Sequence, residues 1–140
     1  MTEHTKQFVD DKGVETILID STITGGFKGT SQCRPLDGSV QSIMDDTFGL
    51  IKETNTWSDL SDINNKWLKE GWLQEQDGAD REHIKVVASN EGFGWSSVAV
   101  WGFSEINGQR WHVRKVSAVK DGKQYNVRAV YDWLPTEGSY

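Results

Sequence analysis

The chain has 140 residues, of which 36% are hydrophobic and 26% charged, and its formal net charge is −6. This is one ordinary domain, large enough for a real core and too well balanced to be disordered, with no apolar run near the roughly 20 residues that span a bilayer. The acidic balance argues against a phosphate-dominated nucleic-acid binder, although Arg110, Arg114, Lys115 and Arg128 fall close enough for a local basic patch.

Residues 1–13 read as a flexible, solvated lead-in ending at Gly13, without the apolar core of a signal peptide. Residues 14–135 are expected to form a single α+β domain, and 136–140 a tail. Val14 to Thr24 alternates Ile17, Ile19, Ser21 and Ile23 against Leu18, Asp20 and Thr22, which predicts a strand. Gly25-Gly26, Gly29, Pro35 and Asp37-Gly38 then interrupt the chain, leaving room for a short strand around Phe27 to Cys33. Cys33 is the single cysteine, so an internal disulfide framework is excluded. With no leader sequence, this predicts a cytoplasmic protein in which Cys33 is a buried or inert thiol.

Val40 to Lys52 fits two patterns. Val40, Ile43, Met44, Thr47, Phe48 and Ile51 recur at helical spacing, which predicts a first helix. The rival reading is two short strands joined near Asp45-Asp46, and Gly49 favours it. Ser58 to Glu70 predicts a second helix, with Ser58 as cap, Asp59 and Asp62 near its start, and Lys66 and Lys69 near its end. Gly71 falls where a left-handed closing residue belongs, and Trp72 follows as its hydrophobic partner. Trp57, Trp67 and Trp72 then dock this helix on a sheet. Asp77 to Glu82 reads as a solvated loop. Its Asp77, Asp80 and Glu82 lack the alternating order of a calcium loop.

From Ile84 onward the pattern is β, with strands at Ile84 to Ser89, Ser97 to Ile106, Gln109 to Val119 and Lys123 to Trp133. Asn107-Gly108 and Asp121-Gly122 separate the last three as two-residue hairpin turns. Counting outward pairs Glu105 with Arg110, Phe103 with His112, and Trp101 with Arg114. The second turn pairs Val116 with Val127, Arg114 with Ala129, His112 with Tyr131, and Arg110 with Trp133. One face therefore carries Ala99, Val116, Ala118 and Val127 at an aliphatic end expected to lie under the helices. Its other end carries Trp101, Phe103, Glu105, Arg110, His112, Arg114, Tyr131 and Trp133. The opposite face mixes Val98, Val100, Trp111, Val113 and Val130 with Lys115 and Arg128, as either a dimer surface or a solvent face.

The aromatic end has the mixture a ligand pocket needs, apolar walls with a few orienting polar groups. Trp101, Phe103, Glu105, Arg110, Arg114 and Trp133 are the candidate ligand-binding residues. Arginine beside aromatic rings suits a carboxylate, phenolate or enolate on a flat apolar molecule. His112 and Tyr131 are the candidate catalytic pair, since a histidine near a carboxylate can move protons at neutral pH. The plainer account is a Glu105–Arg110 cross-strand ion pair, an Arg114 stacked on Trp101, and a histidine that is hydrogen-bonded structure. His4, His83 and His112 have no zinc spacing, and Gly25 to Thr30 does not match a phosphate-binding loop, so no metal or cofactor is expected.

The resulting fold is an antiparallel meander of four to five strands with two helices packed on one face. From Ile84 to Trp133 this order resembles the cone-shaped domains of the nuclear-transport-factor-like group. That resemblance implies a curved sheet around an apolar pocket and metal-free ligand binding, dehydration, isomerisation or cyclisation. If Val40 to Lys52 is β, the strand count approaches a small lipocalin-like barrel with its pocket inside. The expected function is binding of a small, flat, partly anionic hydrophobic molecule; if the protein is an enzyme, it is a cofactor-free lyase or isomerase. The rival functions are a non-enzymatic protein-interaction module, working as a homodimer or as the partner of another protein, and a carbohydrate-binding domain suggested only by seven tryptophans.

Overall fold

The computed structural model describes residues 1–23, 25, 27–45, 47–73 and 83–132. Nine strands run β1 (Thr2–Val9), β2 (Glu15–Ile23), β3 (Phe27–Pro35), β4 (Gln41–Asp45), β5 (Gly49–Ser58), β6 (His83–Asn90), β7 (Trp95–Ile106), β8 (Gln109–Lys120) and β9 (Lys123–Tyr131). They form two antiparallel sheets, β1-β2-β3 and β4-β5-β6-β7-β8-β9. Helix among the described residues is confined to a 3-10 turn at Leu60–Asp62 and the single turn α1 (Lys66–Lys69). The expected α+β fold with two helices is therefore wrong. So is the nuclear-transport-factor-like analogy drawn from Ile84 to Trp133, because the helices of such a cone are absent among the described residues.

Side-chain capping explains both corrections. At Val40 to Lys52, Asp45 Oδ1 accepts from the backbone N–H groups of Thr47 (2.8 Å) and Phe48 (2.9 Å), reversing the chain into Gly49. A hairpin pairing Asp45 with Gly49 results, where helical spacing alone had suggested one continuous helix. Further on, Ser58 stays in β5 because it pairs with His83. Asp59 caps the short turn through Ser61 N–H (3.0 Å), and Asn65 caps α1 through Leu68 N–H (3.2 Å). Ile63 between them is extended, so one helix becomes two fragments. Residues 2–9, expected to be flexible lead-in, pair along their length with β2.

The C-terminal meander follows the predicted register, with Trp101 opposite Arg114, Phe103 opposite His112, and His112 opposite Tyr131. Asn107 and Gly108 (φ 52° and 77°), like Asp121 and Gly122 (53° and 73°), have the double positive φ that matches two-residue turns to strand twist. Asp77 to Glu82 and Trp133 lie outside the described residues.

The small sheet, rather than helices, covers the face that carries Trp101 and Arg114. Ile17, Ile19 and Leu36 pack there on Ile84, Val86, Ala99 and Trp101, with Trp57 and Val116 alongside. Of the aliphatic residues expected on that face, Ala99 and Val116 join this core, whereas Val127 is exposed near the β9 edge. The opposite face receives the helical connection, where Ile63 and Leu68 cover Val100 with Trp67, Trp72 and Val98 around them. Val100 and Val113 are fully buried, so the centre of that face is neither a solvent face nor free for a dimer partner. Gly102 makes this docking possible, because a Cβ there would sit 2.7 Å from His83 Cδ2 and 3.0 Å from Trp72 Cε3.

The sheets are joined at a corner where Leu36 N–H donates to Glu15 O, Gly38 N–H donates to Asn55 O, and Asp37 bridges Thr56. Within residues 40–52, Gln41–Asp45 and the start of β5 are thus β, as the barrel alternative required. The described strands nevertheless pair as two separate sheets, and β1 does not pair with β9.

Candidate functional site between the sheets

Strand pleating decides which side chains enter the space between the sheets. From the large sheet, Trp57, Ile84, Trp101, Arg114 and Ala129 form one transverse row; Asn55, Val86, Ala99, Val116 and Val127 form the next. From the small sheet, the same alternation sends Glu3, Ile17, Ile19, Gln32 and Arg34 inward. Apolar rows therefore meet polar groups that neither sheet could satisfy alone.

Arg114 is the hub. Its Cζ lies 4.0 Å from the Trp101 ring centroid and 4.2 Å from that of Tyr131. Its Nε donates to His112 Nε2 (3.1 Å), and one terminal nitrogen donates to the Tyr131 hydroxyl oxygen (3.2 Å). Its two terminal nitrogens meet both carboxylate oxygens of Glu3, at 3.3 and 2.8 Å. Such a two-pronged pair is the strong form of the arginine–carboxylate contact.

His112 completes the hub. Because Nε2 accepts from Arg114, Nδ1 carries the proton and donates to Gly102 O (3.1 Å). Burial and then the Arg114 charge lower its pKa to about 4, against smaller opposing effects of the Gly102 carbonyl and Glu3. The ring is neutral at pH 7, packed among Trp101, Phe103 and Tyr131 at 5.5 to 6.2 Å between centroids.

A second polar group lies across Trp101. Arg34 Cζ is 4.9 Å from the Trp101 ring centroid, and its NH1 meets Glu53 Oε1 (2.5 Å) and Asn55 Oδ1 (3.1 Å). Gln32 Oε1 accepts from Arg34 Nε (3.2 Å) and NH2 (2.7 Å), and Asn55 Nδ2 donates to Glu53 Oε1 (3.0 Å). Desolvation lowers the Arg34 pKa, and the Glu53 carboxylate opposes it. Below this group an open recess is lined by Gln7, Phe8, Val9, Glu15 and Trp57, with Trp57 Nε1 donating to Glu15 Oε2 (2.8 Å).

Of the sequence-derived candidates, Trp101, Phe103, His112, Arg114 and Tyr131 come together. Arg110 lies over the Phe103 ring, 3.6 Å from its centroid, toward the exposed hairpin end where Glu105 is its register partner. Cys33, expected to be a buried or inert thiol, is not buried but exposed, because Gln32 and Arg34 are the inward residues of β3. Glu3, Arg34, Glu53 and Asn55 were not anticipated; the alternation Glu53-x-Asn55-x-Trp57 is the one local signal for two of them. No group of three or more metal-ligating side chains occurs among the described residues. No described helix is long and apolar enough to cross a membrane.

No family model matches the chain, and no solved structure matches it. A curated protein from Mollisia scopiformis, described as the probable pericyclase scpY, is 23% identical over 111 residues, covering 78% of this chain. The chain spans 57% of that relative's length.

Proposed function

We propose that the space between the sheets binds a small, flat, conjugated molecule through a carbonyl or anionic oxygen and folds it for pericyclic ring closure. The observation that carries this reading is Arg114, whose guanidinium is flanked by two aromatic rings and oriented by a neutral histidine. The similarity to a probable pericyclase supports the reaction class.

Such a closure is an isomerisation: new σ bonds form as π bonds are consumed, and the atoms balance without a co-reactant. The protein's part is to hold the reacting ends together and to hydrogen-bond an oxygen that gains negative charge. Arg114 supplies that donor. Tyr131 accepts from Arg114 and keeps its own O–H for the ligand, while His112 fixes the guanidinium plane. In this reading His112 is a positioning residue rather than a proton carrier. Trp101 and Phe103 form the walls.

The test is a titration of aromatic and polyenyl carbonyl compounds and carboxylates, read by tryptophan fluorescence and by chromatography of products. Binding should saturate in wild type, and a linear diene or triene should give one dominant cyclic isomer. Arg114→Gln should weaken binding roughly 10- to 100-fold, the value of losing charged hydrogen bonds, with near-ultraviolet circular dichroism retained. Unchanged affinity in a folded Arg114→Gln protein would reject the assignment.

A further inference from the structure

The guanidinium of Arg114 already holds a carboxylate, and that carboxylate comes from an edge strand. Among the described strands β1 pairs only with β2. Of its eight residues only Glu3 and Phe8 are half-buried; the other six are exposed. Thr5 and Gln7 share the inward face with Glu3 yet stay exposed, so β1 overhangs the large sheet instead of packing on it. Among the described residues Glu3 is its one polar tether to the site, with side chains of Glu3 and Arg114 only 13% and 12% exposed.

We propose that Glu3 is an internal stand-in for a ligand carboxylate, and that β1 is a strap that yields when such a ligand displaces Glu3 from Arg114. The proposal rests on Arg114 being the ligand anchor, and it narrows the ligand class to monocarboxylates with a flat apolar body. Three features support the exchange. The occupied geometry is the one a free carboxylate adopts on an arginine fork. One carboxylate replaces another, so the guanidinium is never left buried without a partner charge. The released Glu3 enters water on a strand segment that is already solvated, while Phe8 keeps the other end of β1 half-buried.

A closed strap reduces apparent affinity by the fraction of molecules that are open. Titration of 2-naphthoate into the full chain, followed by tryptophan fluorescence, should therefore give about tenfold tighter binding to Glu3→Gln than to wild type. The uncharged 2-naphthamide should bind more weakly than naphthoate to both. Hydrogen exchange on wild type, which needs no variant, should show faster exchange across residues 2–5 when naphthoate saturates the site. Equal naphthoate affinity in both proteins, with exchange unchanged, overturns the strap and leaves Arg114 as anchor. Naphthoate binding to neither protein overturns both readings.

Discussion

His112 has no ring nitrogen to spare, and its environment makes protonation expensive. Arg114 and Arg110 are the charges that disfavour its cation, Glu3 and the Gly102 carbonyl favour it, and burial outweighs them. An unfolded histidine takes up its proton near pH 6.5, whereas this one does so only near 4. As pH falls through that window the unfolded chain gains the proton first, so this contribution to stability is complete above about 6.5, declines below it and levels off under 4. The expected loss is about 3 kcal/mol for the full interval. His112→Gln removes the titration, so urea denaturation of the variant at pH 7.5, 5.5 and 4.0 should show a smaller acid loss than wild type. An equal pH dependence in the two proteins would mean that His112 titrates normally. The Arg114–His112 contact also explains why the residue belongs beside the ligand: a neutral imidazole can accept the guanidinium N–H, and an imidazolium cannot.

Elements were legible where their signals are local and unambiguous. Asn107-Gly108 and Asp121-Gly122 set the register, and register alone brought Trp101, Arg114, His112 and Tyr131 onto one face. The helices were misread because Asp45, Asp59 and Asn65 each terminate or restart the chain through a side-chain hydrogen bond that hydrophobic periodicity does not report. Glu3 and Arg34 were missed for a different reason. Their partners are 111 and 19 residues away, and polar strands that face an enclosed space look solvated in sequence. The surviving helical turn also depends on a distant residue. Lys115 Nζ donates to the carbonyls of Trp67 (2.9 Å) and Glu70 (2.6 Å), so a buried cation from β8 closes the C-terminal end of α1. Lys115→Met should keep the apolar stem but leave both carbonyls unmet, costing about 1–3 kcal/mol in chemical denaturation. Faster amide exchange at Leu68 and Lys69, with β7 unchanged, would place the loss in α1. Global weakening without local loosening would count against this role.

At the scale of the whole molecule, the two sheets meet through an apolar core with a polar seam along it. Ile17 and Ile19 supply the core, and a buried aliphatic side chain of this kind contributes roughly 2 kcal/mol. The seam, Arg34 with Glu53 and Arg114 with Glu3, is a different kind of contact. Desolvation of two charges can consume what their attraction returns, so an ion pair here is a poor device for joining sheets. This distinction can be measured on the Arg34–Glu53 pair. Glu53→Leu alone leaves Arg34 buried beside Trp101 without its carboxylate and should cost about 3–5 kcal/mol. Arg34→Met combined with Glu53→Leu removes both charges, and its stability should return to wild type or exceed it by about 1–4 kcal/mol. The double variant should nonetheless bind 2-naphthoate at least about tenfold more weakly, because Trp101 loses the second guanidinium and the polar edge that orients a flat ligand. Denaturation curves for the three proteins and one titration decide the matter. If the double variant is as unstable as Glu53→Leu, the pair holds the sheets together and has no special claim on the ligand. If it is stable and still binds as wild type, ligand recognition is confined to the Arg114 side of Trp101.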